Sequence, residues 1–153
     1  MSDPADILIV DDDRDDVEIA LRAIRRENLD VRVSVASDGG EALEMLGLEA
    51  NGSERPRVTP RVIFLDLEMA GVDGWEVLRR LRQHPPTRQL PVVVVSWSSQ
   101  VNDVDRCYAL GANSFLVKRV DPTHPGAYFA EAVRYWAELN EAPRFVGVSR
   151  NVT

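Results

Sequence analysis

Two apolar runs of the sequence stop on acids. Ile7-Leu8-Ile9-Val10 ends on Asp11-Asp12-Asp13, and Val62-Ile63-Phe64-Leu65 ends on Asp66. Two later runs stop on a hydroxyl and an amine: Leu90 to Val95 on Ser96, and Phe115-Leu116-Val117 on Lys118. A carboxylate nucleophile, carboxylates for a hard cation and an ammonium are what phosphoryl transfer needs, because that reaction is mainly positioning and charge neutralisation. Three carboxylates held close together repel unless a cation joins them, and magnesium keeps waters that a phosphate can displace. Ser96 and Lys118 could bind two oxygens of a phosphoryl group carried by Asp66. Asp66 is therefore the expected phosphate acceptor, if the fold brings these four run ends together.

Singly, each residue has a plainer reading. An Asp after a strand is usually a turn or helix cap, an acidic triplet a solvated helix start, Ser96 a cap and Lys118 a surface charge. Their joint position at the ends of apolar runs favours chemistry over coincidence. The runs themselves read as strands. Ile7–Val10 and Val62–Leu65 are apolar throughout, as strands buried on both faces are. Val31, Val33 and Val35 alternate with Arg32 and Ser34 and read as a half-buried strand near a sheet edge.

Helical spacing lies between the strands. Val17, Leu21 and Ile24 mark a helix over 14–28, with Asp15 and Asp16 in its first turn, where the helix dipole favours acids. Further helices are expected over 41–48, 74–83 (ended by Pro85-Pro86), from Val101 past Tyr108, and 127–140. The stretch 49–60, with Asn51-Gly52, Pro56 and Pro60, reads as an exposed loop. Five strand–helix repeats imply parallel strands and right-handed crossovers. The expected fold is α/β, a flavodoxin-like (βα)5 three-layer sandwich with sheet order 2-1-3-4-5, in which all four reactive strand ends share one rim.

The chain of 153 residues suits one domain, with a core over about 6–140 and a tail over 141–153. Its net charge of −7 argues against binding the phosphate backbone of nucleic acid. The single cysteine, Cys107, excludes an internal disulfide framework and fits a reducing compartment. No signal peptide or membrane span is read, so a cytoplasmic protein is expected.

These residues carry a resemblance. Ile7 to Asp12, Phe64 to Met69 with Asp73-Gly74, Val94-Val95-Ser96, and Gly111 to Lys118 resemble the receiver domains of two-component response regulators, from first strand to fifth. The resemblance implies that Asp66 accepts a phosphoryl group from a histidine kinase. It makes Asp11 and Asp12 the acidic pair, Asp12 a direct magnesium ligand, and Glu68 a ligand through its backbone carbonyl. Ser96 matches the switch hydroxyl, Lys118 the phosphate-binding lysine, and Phe115 the switch aromatic; Phe115 also reads as an ordinary core aromatic. Such a domain catalyses only its own phosphotransfer and dephosphorylation and is not otherwise an enzyme. The loop before the third strand, Ser98-Ser99, Tyr108 to Asn113, and Phe129 with Tyr135-Trp136 are similar to the small regulators paired with bacterial phytochromes. The chain departs from the family where proline usually stands, at Ala70 and Arg119, and Trp97 replaces a small residue. With Arg119 after Lys118, a trans peptide bond is expected, because cis would cost ~3 kcal/mol.

About thirteen residues follow the last helix, too few for a DNA-binding helix pair, so the expected output is a protein contact. In that helix Phe129, Val133 and Trp136 form one stripe, and Tyr128, Ala132, Tyr135 and Leu139 a second. Since one stripe serves the core, the second fits a homodimer contact, a cover from the chain's own tail (Phe145, Val146, Val148), or the tail of another copy. The competing function is a magnesium-dependent phosphatase of the haloacid-dehalogenase type. It needs an Asp-x-Asp motif followed by a hydroxyl or branched residue, which neither Asp66-Leu67-Glu68-Met69-Ala70 nor Asp11 to Asp15 supplies. A nucleotide-binding domain needs a glycine-rich first loop, and no glycine follows the first strand until Gly39.

Overall fold

The computed structural model describes residues 3–48 and 55–143. Five parallel strands form the main sheet: β1 (Ile7–Val10), β2 (Val33–Ala36), β3 (Val62–Leu65), β4 (Val92–Ser96) and β5 (Ser114–Val117), in the order β2-β1-β3-β4-β5. The order is the expected one. Every residue of β1, β3 and β4 is buried, whereas β2 and β5 at the edges are only partly so. The uninterrupted apolar runs thus fill the three central strands, and the alternating run fills an edge.

The helices are α1 (Arg14–Arg26), α2 (Gly39–Met45), α3 (Gly74–Gln83), α4 (Val101–Ala109) and α5 (Ala127–Val133). Alternate strand residues point to opposite faces, and two apolar layers result. Leu8, Val10, Ile63, Leu65, Val92 and Val94 pack with α2 and α3; Ile7, Ile9, Phe64, Val93 and Val95 pack with α1 and α5. Phe64 meets Phe129 of α5 with ring centroids 4.8 Å apart. Burying a ring of this kind is worth roughly 2–3 kcal/mol before any ring–ring term.

Local signals set the helix ends. Asp13, Asp38 and Asp73 each cap a helix, accepting hydrogen bonds from backbone N–H groups of the first turn. α3 spans the expected residues because Asp73 starts it and Pro85 opens a 3-10 turn (Pro85–Thr87) after it. Besides shifted element ends, such as α2 at Gly39–Met45 against the expected 41–48, two features differ from expectation. Val58–Thr59, inside the expected loop, pairs in parallel with Asp3–Pro4 as a two-residue bridge. The last helix runs on past α5 as a π-helix, Arg134–Leu139, with Asn140 N–H donating to Tyr135 O at 2.7 Å. Asn51-Gly52 and the tail residues Phe145, Val146 and Val148 lie outside the described residues.

Candidate functional site

The sheet register builds the site. Val10 is paired with Leu65, so the next residues, Asp11 and Asp66, leave adjacent strands side by side. Asp66 N–H donates to Val10 O (2.9 Å) and Asp11 N–H to Ala36 O (3.1 Å), so each acid's backbone is fixed by the last rung of a ladder. Ser96 is paired with Val117, and Lys118 N–H donates to Ser96 O at 2.7 Å. The four expected strand ends therefore lie at one rim.

Gly74 makes the close packing beneath Asp66 possible. Its N–H donates to Leu67 O at 3.0 Å, and a Cβ there would lie 2.1 Å from Asp66 O. The glycine of Asp73-Gly74 is thus a place of backbone contact at a helix start, and the left-handed turn conformation falls to Gly71, with φ +75°.

Carboxylate oxygens of Asp11, Asp12 and Asp66 lie within 4.8 Å of one another. Asp11 and Asp66 are buried, and Asp12 is exposed at the mouth, accepting from Ala70 N–H at 3.3 Å. A set of hard oxygen donors this close fits a divalent cation. Burial and the neighbouring Asp11 carboxylate push the Asp66 pKa up to about 7, and Lys118 only partly offsets them.

The Lys118 ammonium is buried among carboxylates. It donates to Asp11 Oδ2 at 2.9 Å and to Asp16 Oδ2 at 2.7 Å, and it lies 3.8 Å from Asp66 Oδ2. Burial disfavours its charge, but the hydrogen bonds to Asp16 and Asp11 and the charge of Asp66 outweigh burial, and its pKa is raised. Ser96 is buried, with its hydroxyl oxygen accepting from Ser98 N–H at 3.1 Å. Phe115 is half-buried against the α2/α3 apolar layer. Glu68 is exposed on the loop after β3, and its backbone N–H acts to lower the Asp66 pKa. No cis peptide bond occurs among the described residues, so Lys118–Arg119 is trans, as expected.

Asp16 is the residue that sequence reasoning missed. Its position two residues into α1 signalled only a dipole effect. In the fold it accepts from both Lys118 and the Trp97 indole, the latter at 3.3 Å. Nothing local in the sequence connects residues so far apart. Beside this trio lies a cavity of about 310 Å³, lined by Val17 of α1, Phe64, Trp97, Lys118, Arg119 and Phe129 of α5.

A doubly wound sheet that gathers an acid cluster and a buried lysine at its carboxyl rim defines a phosphotransfer signalling domain, not a metabolic enzyme. The chain belongs to the response regulator receiver domain family, whose model matches residues 7–125. It is 33% identical over 141 residues to the probable methanogenesis regulatory protein FilR2 of Methanothrix harundinacea, covering 92% of this chain and 89% of that one. The Mn(2+)-bound form of response regulator Rcp1 superposes with a TM-score of 0.77 at 28% identity, over 92% of this chain and 99% of that one. The bacteriophytochrome response regulator RtBRR is 38% identical, with a TM-score of 0.67, over 95% of this chain and 87% of that one. The fold and family exclude the haloacid-dehalogenase reading. The likeness to phytochrome-associated regulators, expected from the long loop, Ser98-Ser99, Tyr108 to Asn113 and the last helix, is shown by RtBRR. Among the described residues, no helix is long and apolar enough to cross a membrane.

Proposed function

We propose that Asp66 accepts a phosphoryl group from a phosphohistidine of a partner kinase, and that the chain acts as a single receiver domain whose own surface carries the output. An Asp66 carboxylate oxygen forms the new bond to phosphorus as the P–N bond breaks, and the electron pair leaves on the histidine nitrogen. The observation that carries this reading is the convergence of three carboxylates within 4.8 Å with Lys118 Nζ 3.8 Å from Asp66.

Asp11, Asp12, Asp66 and the Glu68 carbonyl would hold the cation, taken here as magnesium. When bound it supplies positive charge to the phosphoryl oxygens and neutralises the carboxylate cluster. Lys118 takes a phosphoryl oxygen from the opposite side, and the Ser96 hydroxyl takes another by leaving Ser98 N–H. That movement would draw the loop after β4 toward the site, with Phe115 following as the switch aromatic.

A bacterial phytochrome kinase is the proposed donor, supported by the likeness to RtBRR. The proposed output is a homodimer through the last helix and the tail, in the cytoplasm and with no nucleic acid. Tyr135 is 49% and Leu139 69% exposed on the second stripe, which supports such a contact. Incubation with a small phosphodonor and magnesium should add one phosphoryl group by mass, and Asp66→Asn should add none. Many turnovers of the donor, or an Asp66→Asn chain that still gains the group, would overturn the reading. Sedimentation that finds only monomer at high concentration, with and without phosphodonor, would remove the dimer.

A further inference from the structure

Lys118 has more carboxylates to satisfy than it has charge to offer. Its shortest contact is to Asp16 at 2.7 Å, whereas Asp66, the proposed acceptor, lies beyond hydrogen-bond distance at 3.8 Å. A divalent cation on Asp11, Asp12 and Asp66 would draw Asp11 away from the ammonium but would leave Asp16, which is not in that cluster. Asp16 is thus the group that competes with a phosphoryl oxygen for Lys118.

The same Asp16 oxygen, Oδ2, accepts from Trp97 Nε1 at 3.3 Å. A carboxylate oxygen shared between two donors gives less to each. Trp97 directly follows Ser96, the proposed switch hydroxyl, and as a residue is 54% exposed, so it can follow a small displacement of the loop after β4. The cavity beside Lys118 and Trp97 leaves both side chains room to shift.

We propose that Asp16 is a positioning residue that restrains Lys118 before phosphorylation, and that Trp97 weakens this restraint by sharing the Asp16 carboxylate. The proposal rests on Asp66 as acceptor. Phosphorylation then requires Lys118 to leave Asp16. The Ser96 movement shifts Trp97 along with it, coupling the lysine to the loop after β4 through one carboxylate oxygen.

The two partners of Asp16 predict opposite signs. Asp16→Asn keeps an acceptor for the indole but removes the charge that holds Lys118. It should take a phosphoryl group from a small phosphodonor with magnesium about 3- to 10-fold faster than wild type, the range expected for losing one partly screened charge-assisted hydrogen bond. Trp97→Phe keeps a ring but removes the donor, leaves Asp16 wholly to Lys118, and should be slower. In an Asp16→Ala background, Trp97→Phe should have no further effect on the rate.

A general electrostatic role for Asp16 would speed Asp16→Asn but leave Trp97→Phe unchanged, and that result overturns the proposal. So does an additive double variant, or an Asp16→Asn rate equal to wild type while Asp66→Asn still blocks phosphorylation; both leave the acceptor reading intact. A wild-type chain that gains no phosphoryl group overturns both. Thermal melts of each variant with magnesium identify any that fail to fold, and for those the comparison passes to Asp16→Glu, which should return the rate toward wild type.

Discussion

The two ends of β5 each hold a cation drawn into the fold, and they hold it in opposite ways. Before the strand, half-buried Arg82 of α3 donates to Gly111 O (2.9 Å), Thr87 O (3.2 Å) and Asn113 Oδ1 (2.9 Å). All three acceptors are neutral, and Arg82 has no carboxylate partner among the described residues. After the strand, the partners of the Lys118 ammonium among the described residues are carboxylates: Asp11, Asp16 and Asp66. Burial lowers the Arg82 pKa, whereas the acids around Lys118 raise the lysine's in spite of burial. Neutral oxygens held in place leave a cation one position. A surplus of carboxylates leaves it a choice, and a choice is what a switch needs.

The largest expected contrast comes from removing each cation. Lys118→Met should slow phosphorylation about 100-fold or more, because the charge facing the phosphoryl group is gone. It should also cost the metal-free protein ~3 kcal/mol, since buried acids lose their counter-charge. Adding a divalent cation should restore much of that stability. Arg82→Met should cost ~2 kcal/mol through three lost hydrogen bonds. A divalent cation should restore none of it, and the phosphorylation rate should stay within about twofold. Chemical denaturation with and without magnesium, together with phosphodonor kinetics, reads all six quantities. An Arg82→Met chain rescued by magnesium would break the comparison.

The next contrast is in pH. Asp66 in the folded chain keeps its proton to about pH 7, against 3.8 for the ordinary carboxyl. Between these values the folded state binds the extra proton, so Asp66's contribution to stability falls as pH rises, and the whole penalty is present above about 7. Without metal, Asp66→Asn should therefore gain on wild type across this window, by on the order of 3 kcal/mol. Magnesium binds the ionised form and should narrow the gap. The Arg82→Met cost should be flat over the same range, because its acceptors do not titrate. Urea midpoints at several pH values test both slopes, and a gap for Asp66→Asn that shrinks with rising pH would contradict the burial argument.

The two ends also differ in how far the sequence disclosed them. The rim was legible because strand ends are local signals: an apolar run stopping on Asp66 or Lys118 marks itself, and the alternation of strands and helices implies a parallel sheet, whose order was expected from the flavodoxin-like arrangement. The bounds of α3 were legible because Asp73 and Pro85 are local punctuation. Asp16 was not, because its partners, Lys118 and Trp97, meet it only after the chain has folded. Arg82 was hidden for the same reason: Gly111 and Asn113 meet it only in the fold. The Val58–Thr59 bridge went unseen because two residues carry no periodicity. The π-helix went unseen because its change of pitch keeps an apolar stripe compatible with an ordinary helix.

The smallest expected effect tests whether the Arg82 end is a static anchor. Thr87 is fully buried in the 3-10 turn after α3, and its hydroxyl donates to Leu81 O at 2.7 Å and is within 3.2 Å of His84 O. Its own carbonyl is one of the three oxygens that grip Arg82. Thr87→Val preserves shape and removes the hydroxyl. His84 O keeps the Thr87 N–H as a donor at 3.0 Å, so the uncompensated loss is centred on Leu81 O. The expected cost is ~1 kcal/mol. If neutral acceptors make a rigid anchor, this loss stays local: amide exchange quickens around 81–90, while phosphorylation and the metal-dependent stabilisation are unchanged. If the variant instead alters the phosphorylation rate, strain passes along β4 and β5 from one end to the other, and the two cations belong to one device.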